Sequence, residues 1–235
     1  MKEELSRLGM LIGDPAIEKL KDCHVAVFGV GGVGGYVCEA LARCGVGKIT
    51  VFDNDVVSKS NINRQIIALH STVGIRKTEL IKKRMEDINP DIKVVANNVF
   101  YSEENADQYD LRSFDYIADA IDSVPSKTEL IARAKETGVP IISSMGTGNK
   151  LDPLKLRVKN LSETAYCPLA KTMRQRLRKR GITDLTVVCS DELPIKPSRD
   201  ETSDNEGKTV PGSSAFVPPV AGMIIASEIV KELIK

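Results

Sequence analysis

The chain has 235 residues, of which 42% are hydrophobic, and this is enough apolar material for one α/β domain spanning residues 1–235. Its 33 basic and 32 acidic residues nearly cancel, so any contact with an anionic partner must come from a local cluster of charge. The five cysteines form no C-x-x-C pair, which argues against a zinc site and against a secreted disulfide scaffold. We therefore expect a cytoplasmic protein without zinc and without a membrane-spanning segment.

Apolar strands alternate with helical patterns in the first two thirds of the chain. A helix is predicted to begin near Asp14. Strands are predicted at 24–28, 48–53, 93–96, 116–118 and 139–142, and further helices at 37–44, 76–88 and 126–137. This alternation is typical of a parallel, doubly wound sheet, so we predict a Rossmann-like α/β core over residues 14–150.

The pattern is weaker in residues 151–235, which we interpret as a smaller C-terminal extension of the same domain. Strands are predicted at 155–159 and 185–189, on either side of a basic helix at about 168–180. Residues 192–214 are mostly polar residues and prolines, and we predict a mobile loop there. An amphipathic helix over 223–234 should pack on the sheet or on a second copy of the chain.

A glycine-rich segment, Gly29-Val30-Gly31-Gly32-Val33-Gly34, follows the first predicted strand. Without Cβ atoms the backbone can turn tightly and approach a phosphate, and the N-terminus of the next helix favours negative charge. Asp53 ends the next strand about 20 residues later, where an acid can bind ribose hydroxyls. These features predict a nucleotide site, and taken alone they favour a nicotinamide-dependent dehydrogenase.

Charged residues further along the chain favour ATP instead. Arg64 and Lys77 could neutralise a triphosphate, and Asp122 could hold magnesium. Asp122 is predicted just past the strand at 116–118, at the sheet edge where open α/β folds bind ligands. Singly, Arg64 and Lys77 could be exposed charges and Asp122 a helix cap. Together, beside a glycine loop, they favour a triphosphate site.

These segments resemble the signature of the ThiF/MoeB/HesA family, the bacterial relatives of ubiquitin-activating enzymes. The resemblance rests on the glycine loop, Asp53, Ser60-Asn61-Ile62-Asn63-Arg64-Gln65, Gly74-Ile75-Arg76-Lys77 and Ala120-Ile121-Asp122. It implies that ATP and magnesium are used to adenylate a carboxylate with release of pyrophosphate. Beyond the glycines it implies ATP contacts from Asp53, Asp55, Ser60, Asn61, Asn63, Arg64, Gln65, Lys77, Asp122 and Ser123.

The resemblance also implies roles for single residues and an oligomeric state. Asp53 would bind the ribose and Asp122 the metal. Arg7 matches the arginine that, in this family, reaches the active site of the neighbouring subunit in a homodimer. Arg64, Lys77, Asp122 and Arg7 form the implied catalytic set.

Within the family, the sequence is most similar to the tRNA threonylcarbamoyladenosine dehydratases. The segments that carry this likeness are 141–153, 168–182 and Phe216-Val217-Pro218-Pro219. That branch uses ATP to activate the threonine carboxylate of a modified adenosine in tRNA, which then closes into a ring with net loss of water. The resemblance implies this activity, a tRNA substrate, and a cysteine desulfurase or sulfur acceptor as a candidate partner.

The predicted basic helix carries a run of positive charge without an acid. Its candidate contacts to tRNA are Lys171, Arg174, Arg178, Lys179 and Arg180. From the run alone, a solvated helix face is an equally good interpretation, and the resemblance favours tRNA. Three other functions stay open: activation of a ubiquitin-like sulfur carrier, a non-catalytic scaffold, and a dehydrogenase. The missing C-x-x-C zinc motif weighs against the first of these.

Overall fold

The computed structural model describes residues 3–199 and 210–235. Its strands are β1 (His24–Phe28), β2 (Lys48–Phe52), β3 (Lys93–Asn97), β4 (Tyr116–Asp119), β5 (Ile141–Ser144), β6 (Leu156–Asn160) and β7 (Thr186–Ser190). They form one seven-stranded sheet in the order β3-β2-β1-β4-β5-β7-β6. All neighbours are parallel except β6, which is antiparallel to β7. The predicted mostly parallel, doubly wound α/β sheet is therefore confirmed.

Seven helices cover the sheet in the described part of the chain. They are α1 (Ser6–Ile12), α2 (Asp14–Asp22), α3 (Gly34–Arg43), α4 (Lys77–Ile88), α5 (Val124–Thr137), α6 (Pro168–Lys179) and α7 (Val217–Leu233). The sequence did not predict α1. The last helix begins earlier than predicted, because Pro218 and Pro219 fit the first turn of a helix, where no backbone donor is needed.

Alternation along β1 divides the core into two layers. Val25 and Val27 face an apolar cluster that includes residues of α3, α4 and α7, whereas Ala26 and Phe28 face one that includes residues of α5 and α6. Burial on both faces explains why the central strands are continuous apolar runs rather than alternating ones. No helix within residues 3–199 and 210–235 is long and apolar enough to cross a bilayer.

The strand order reverses between β1 and β4. From β1 the chain moves outward to β2 and β3, then returns to place β4 on the other side of β1. Connections leave the carboxyl ends of these two neighbours in opposite directions, which opens a crevice between them. The glycine loop follows β1 and Asp122 follows β4, so the fold places both at this crevice.

Part of the predicted loop at 192–214, residues 200–209, lies outside the described residues. On its N-terminal side, the carboxylate of Glu192 accepts hydrogen bonds from the amides of Leu151 and Asp152. Lys150 Nζ donates to the carbonyl oxygen of Glu192 at 2.6 Å. The start of this segment is therefore held against the chain that leads from β5 to β6.

Candidate nucleotide and RNA site

The glycine loop is shaped by two contacts that exclude side chains. Gly29 has φ +87°, and a Cβ there would lie 2.7 Å from the carbonyl oxygen of Ala120. A Cβ on Gly34 would lie 1.8 Å from the carbonyl oxygen of Gly29. A Cβ on Gly31, by contrast, would have as its nearest atom the side-chain nitrogen Nε2 of Gln65, at 3.9 Å. Gly29 and Gly34 are therefore required by packing, whereas Gly31 borders open space.

Asp53 stands at the end of β2 and braces this loop. Its Oδ2 accepts a hydrogen bond from the Val30 amide at 2.7 Å, and its Oδ1 accepts one from the Asp55 amide at 2.8 Å. Burial raises the pKa of Asp53, while the Lys77 charge and these two amides act to lower it. A carboxylate can accept more than two hydrogen bonds, so Asp53 keeps capacity for ribose hydroxyls.

Arg64 lies across the glycine loop. Its Cγ would be 3.3 Å from a Cβ on Gly32, and its Nη1 donates to the Ser60 carbonyl at 2.8 Å and to Asn63 Oδ1 at 3.0 Å. Burial lowers the pKa of this guanidinium. Within the described residues only Nη1 has partners, so the remaining donors are available to an anion.

The turn before Arg64 is stabilised by its own side chains. Asn61 is buried, and its Oδ1 accepts a hydrogen bond from the Ser58 amide at 3.1 Å. The hydroxyl groups of Ser58 and Ser60 are 2.9 Å apart. Asn61 therefore has a structural role in this geometry, while the exposed Ser60 hydroxyl faces solvent.

Lys77 is not the exposed charge that the sequence left open as an alternative. It is the first residue of α4, its side chain is buried, and its Nζ donates to Asp55 Oδ2 at 2.6 Å. Asp55 itself is exposed. The pair lies next to Asp53, because Asp53 accepts a hydrogen bond from the Asp55 amide. Lys77 is thereby held with its charge close to Asp53, at the carboxyl end of β2.

Gln65 contains an unsatisfied polar atom beside the loop. The side chain is buried, and its Oε1 has no hydrogen-bond partner among the described residues. A buried acceptor without a donor is costly and rare in folded proteins. The nitrogen of the same side-chain amide, Nε2, would lie 3.9 Å from a Cβ on Gly31, so this side chain borders the loop.

Asp122 is exposed on the turn between β4 and α5. It is not the N-cap of α5, because Ser123 occupies that position, so the helix-cap alternative is wrong. The carboxylate has no hydrogen-bond or ion-pair partner in the described part of the chain. It is therefore free to bind a ligand at the crevice.

Sequence reasoning missed the pair that supports this turn. Asp119 and Lys127 are both 0% exposed, and Lys127 Nζ lies 3.0 Å from Asp119 Oδ2. Lys127 also donates to the Ile121 carbonyl at 3.0 Å, and Asp119 Oδ1 accepts from the Ile121 amide at 3.1 Å. Ser143 on β5 donates to Asp119 Oδ2 at 2.7 Å. The only signals in the sequence were an acid inside β4 and a lysine on the buried side of α5.

The C-terminal extension borders the crevice as well. Asn63 Nδ2 donates to the Ser213 carbonyl at 3.0 Å. The Asn149 amide donates to the Gly212 carbonyl oxygen, and the Gly212 amide donates to Asn149 Oδ1, each at 2.7 Å. Pro218, in the first turn of α7, would be 3.2 Å from a Cβ on Gly32. Residues 210–214 and the start of α7 therefore form part of the wall around the glycine loop.

Arg7 is exposed on α1, which packs on α2. Its side chain has no hydrogen bond or ion pair within the described residues. The neighbouring Met10 and Leu11 are 84% and 83% exposed. The structure therefore does not bring Arg7 into contact with the other predicted catalytic residues of the same chain.

The basic helix is confirmed as α6, but its charges are not equivalent. Lys171, Arg178 and Lys179 are exposed. Arg174 donates to the backbone oxygen of Thr164 at 2.8 Å and also to its hydroxyl, and Arg180 pairs with Glu129 at 2.8 Å. A groove of about 510 Å³ runs beside the helix. It is lined by Leu161, Ser162, Lys171, Arg174, Gln175, Arg178, Ile182 and Thr183.

Cys167 caps the start of α6. Its Sγ accepts a hydrogen bond from the Ala170 amide at 3.5 Å and lies 4.0 Å from the Gly146 carbonyl oxygen. The neighbouring Cys189 thiol lowers the pKa of Cys167, and Cys167 in turn raises the pKa of Cys189. Both side chains are buried, so Cys167 serves to anchor α6 to the carboxyl ends of β5 and β7.

Comparison with known proteins identifies the family. The model of the ThiF family matches residues 5–235. The chain belongs to the ThiF family. The tRNA threonylcarbamoyladenosine dehydratase of Bacillus subtilis is 43% identical over 244 residues, which cover 100% of this chain and 96% of the relative. The predicted family is thus confirmed.

Solved structures agree with the sequence relatives. The E. coli tRNA N6-threonylcarbamoyladenosine dehydratase in complex with ATP has a TM-score of 0.89 and 33% identity, covering 98% of this chain and 93% of that one. The complex of the same E. coli enzyme with AMP has a TM-score of 0.88 and 34% identity, covering 97% and 92%. The fold of this ThiF family member is therefore that of an enzyme crystallised with ATP and with AMP.

We predict that Lys127→Met lowers the free energy of unfolding by about 3–5 kcal/mol, because the substitution leaves Asp119 buried without its counter-ion. Denaturant unfolding measures this change. The matched control is Lys135→Met on the same helix, which removes an exposed pair with Asp184 and should cost less than about 1 kcal/mol. Equal effects of the two substitutions would contradict the supporting role of the buried pair.

Proposed function

We propose that this protein is an ATP-dependent dehydratase that acts on threonylcarbamoyladenosine in tRNA. It adenylates the carboxylate of the threonyl group, and the adenylate then closes to the cyclic form. The observation that carries the proposal is the packing of the glycine loop after β1 against the turn after β4, which bears the exposed Asp122. Arg64 lies on Gly32 of the same loop, and Lys77 is paired with Asp55 beside Asp53. Similarity over the whole chain to dehydratases of this name supports the choice of substrate.

The polar and charged groups around the crevice suit the ribose and the phosphates of ATP. Gly31 leaves the loop open to a close approach, and Gln65 offers an acceptor that lacks a donor. Asp53 would accept from the ribose hydroxyls. Arg64 and Lys77 would contact the phosphates, where positive charge stabilises the negative charge that develops during transfer. Ser60, Asn63, Asp55 and Ser123 lie on the same turns and complete the proposed nucleotide contacts.

Asp122 would hold a magnesium ion bound to the phosphates. Residues 3–199 and 210–235 contain no cluster of three or more acidic, histidine or cysteine side chains suited to a metal. Magnesium does not require one, because it is commonly bound by one or two carboxylates together with phosphates and water. The ion would neutralise phosphate charge, and the free carboxylate of Asp122 is the ligand that the chain provides.

The reaction balances without a further reactant. An oxygen of the threonyl carboxylate bonds to the α-phosphorus of ATP, and the bond to pyrophosphate breaks. A nucleophilic atom of the same modified adenosine then bonds to the activated carbonyl carbon and gives up its proton to solvent, and AMP leaves with the carboxylate oxygen. The modified nucleoside has lost the elements of one water. The second step is favoured because attack within one molecule occurs at high effective molarity.

The tRNA would lie on the groove beside α6. Lys171, Arg178 and Lys179 are free to contact phosphates. Arg174 and Arg180 already have partners inside the protein, so their proposed part is to hold the groove in shape. This substrate places the proposed reaction in the cytoplasm.

A homodimer would explain Arg7. Its position on α1 does not bring it to the crevice of its own chain, and the adjacent Met10 and Leu11 expose apolar surface of the kind that subunit contacts cover. In the proposed dimer, Arg7 of one subunit enters the phosphate side of the other subunit's crevice.

We predict that Asp122→Asn lowers the rate of ATP-dependent water loss by about 100-fold or more, because it removes the charge that holds the metal and the phosphates. Mass spectrometry of nucleosides digested from the tRNA measures the product. The control is Asp22→Asn, an exposed acid at the opposite end of β1, which should react at the wild-type rate. If Asp122→Asn keeps the wild-type rate, the assigned role of Asp122 is wrong.

We predict that Arg7→Ala and Asp122→Asn each have strongly reduced activity alone but regain activity when mixed. A mixed dimer contains one crevice with both defects and one with none, so statistical exchange of subunits restores roughly a quarter of the wild-type sites. The same mass-spectrometric assay reports the recovery, and native mass spectrometry confirms that mixed dimers form. Mixed dimers without activity would contradict the action of Arg7 across the interface.

A further inference from the structure

Tyr166 adopts an unusual backbone conformation immediately before α6. Its φ is +58°, in the left-handed region that favours glycine, and its side chain is 58% exposed. The Cys167 amide donates to the Ala165 carbonyl at 2.7 Å, which closes a three-residue γ-turn with Tyr166 at its centre. Of the described non-glycine residues, only Asn149 also has positive φ, and asparagine tolerates this region better than tyrosine does.

The residues on both sides of Tyr166 are held firmly. Arg174 fixes Thr164 to α6 through its backbone oxygen and its hydroxyl. Cys167 is fixed by the Ala170 amide and lies against Gly146, just past β5. A residue stays in a sparsely populated conformation only where its surroundings enforce it, and such residues concentrate at binding sites. Packing does not explain the choice of tyrosine, because the ring is largely outside the protein.

The position of Tyr166 lies between the two parts of the proposed site. On one side begins α6, whose groove carries Lys171 and Arg178. On the other side is Gly146, which follows β5. Because β5 is the direct neighbour of β4, this end of the sheet is the one from which Asp122 projects. Tyr166 therefore lies next in the chain to Cys167, which packs at the same end of the sheet as Asp122.

We propose that the ring of Tyr166 stacks on a nucleobase of the substrate tRNA, in the loop that carries the modified adenosine. The proposal rests on the proposed function. Recognition of single-stranded RNA commonly combines a basic surface for the backbone with an aromatic ring for an unstacked base. The groove beside α6 supplies the first, and Tyr166, on the turn just before α6, supplies an exposed ring. The strained turn keeps that ring presented to the RNA before binding.

The test compares variants that separate the ring from the backbone. Tyr166→Gly removes the ring and relieves the left-handed strain, so its Tm should equal or exceed that of the wild type. Its affinity for tRNA should nevertheless fall by about 5- to 150-fold, the range expected for the loss of one stacked base. Tyr166→Phe should bind within about 2-fold of the wild type, since the ring is kept. The matched control is Phe100→Ala, an exposed aromatic residue just past β3, at the far side of the sheet.

Salt dependence distinguishes stacking from a change in charge. Fluorescence anisotropy with labelled tRNA is measured across a salt series for each variant. Tyr166→Gly should keep the slope of log affinity against log salt, whereas Lys179→Met should reduce the slope by about 1. The affinity for ATP alone should be unchanged in all of these proteins.

The outcomes separate this inference from the proposed function. Wild-type protein that binds and dehydrates tRNA, together with Tyr166→Gly protein that binds equally well, overturns the stacking proposal alone. Tyr166→Phe protein that loses as much affinity as Tyr166→Gly protein also overturns it, because the hydroxyl rather than the ring would then be the contact. Wild-type protein that neither binds tRNA nor dehydrates it overturns the proposed function, and the stacking proposal with it.

Discussion

The site depends on the contact between the glycine loop after β1 and the turn after β4. The backbone of Gly29 approaches the Ala120 carbonyl so closely that no side chain fits between them. The buried pair of Lys127 and Asp119 supports the same turn, because Lys127 donates to the Ile121 carbonyl and Asp119 accepts from the Ile121 amide. Packing therefore fixes the distance between the glycine loop and the turn that carries Asp122. Loss of either support would separate the two halves of the site.

The other site residues are arranged around this contact. Asp53 is bonded to the loop amide of Val30, and the stem of Arg64 lies on Gly32. Lys77 donates a hydrogen bond to Asp55, whose amide in turn donates to Asp53. Pro218, at the start of α7, packs against Gly32 of the glycine loop. The C-terminal extension therefore forms part of the lining of the crevice. Cys167 joins the start of α6 to Gly146, just past β5, which ties the proposed RNA surface to the sheet that carries the crevice.

The sequence predicted the elements whose signals are local. Apolar strand runs, the glycine loop and the position of Asp122 after β4 all come from neighbouring residues, and the structure agrees with them. The Asp119–Lys127 pair could not be predicted, because it links a strand end to a helix through tertiary packing. Nor could the internal partners of Arg174 and Arg180, since a basic run does not reveal which of its charges turn back to Thr164 or Glu129. The left-handed conformation of Tyr166 has no signal in the residue type.

The most direct test of the central claim follows the oxygen of the substrate. tRNA whose threonyl carboxylate carries ¹⁸O is incubated with the protein, ATP and magnesium, and the nucleotide products are analysed by mass spectrometry. Adenylation predicts AMP that contains one ¹⁸O atom and pyrophosphate that contains none, because AMP leaves with the carboxylate oxygen. Unlabelled AMP, or ADP with ¹⁸O in inorganic phosphate, would contradict the claim that this site makes an acyl-adenylate.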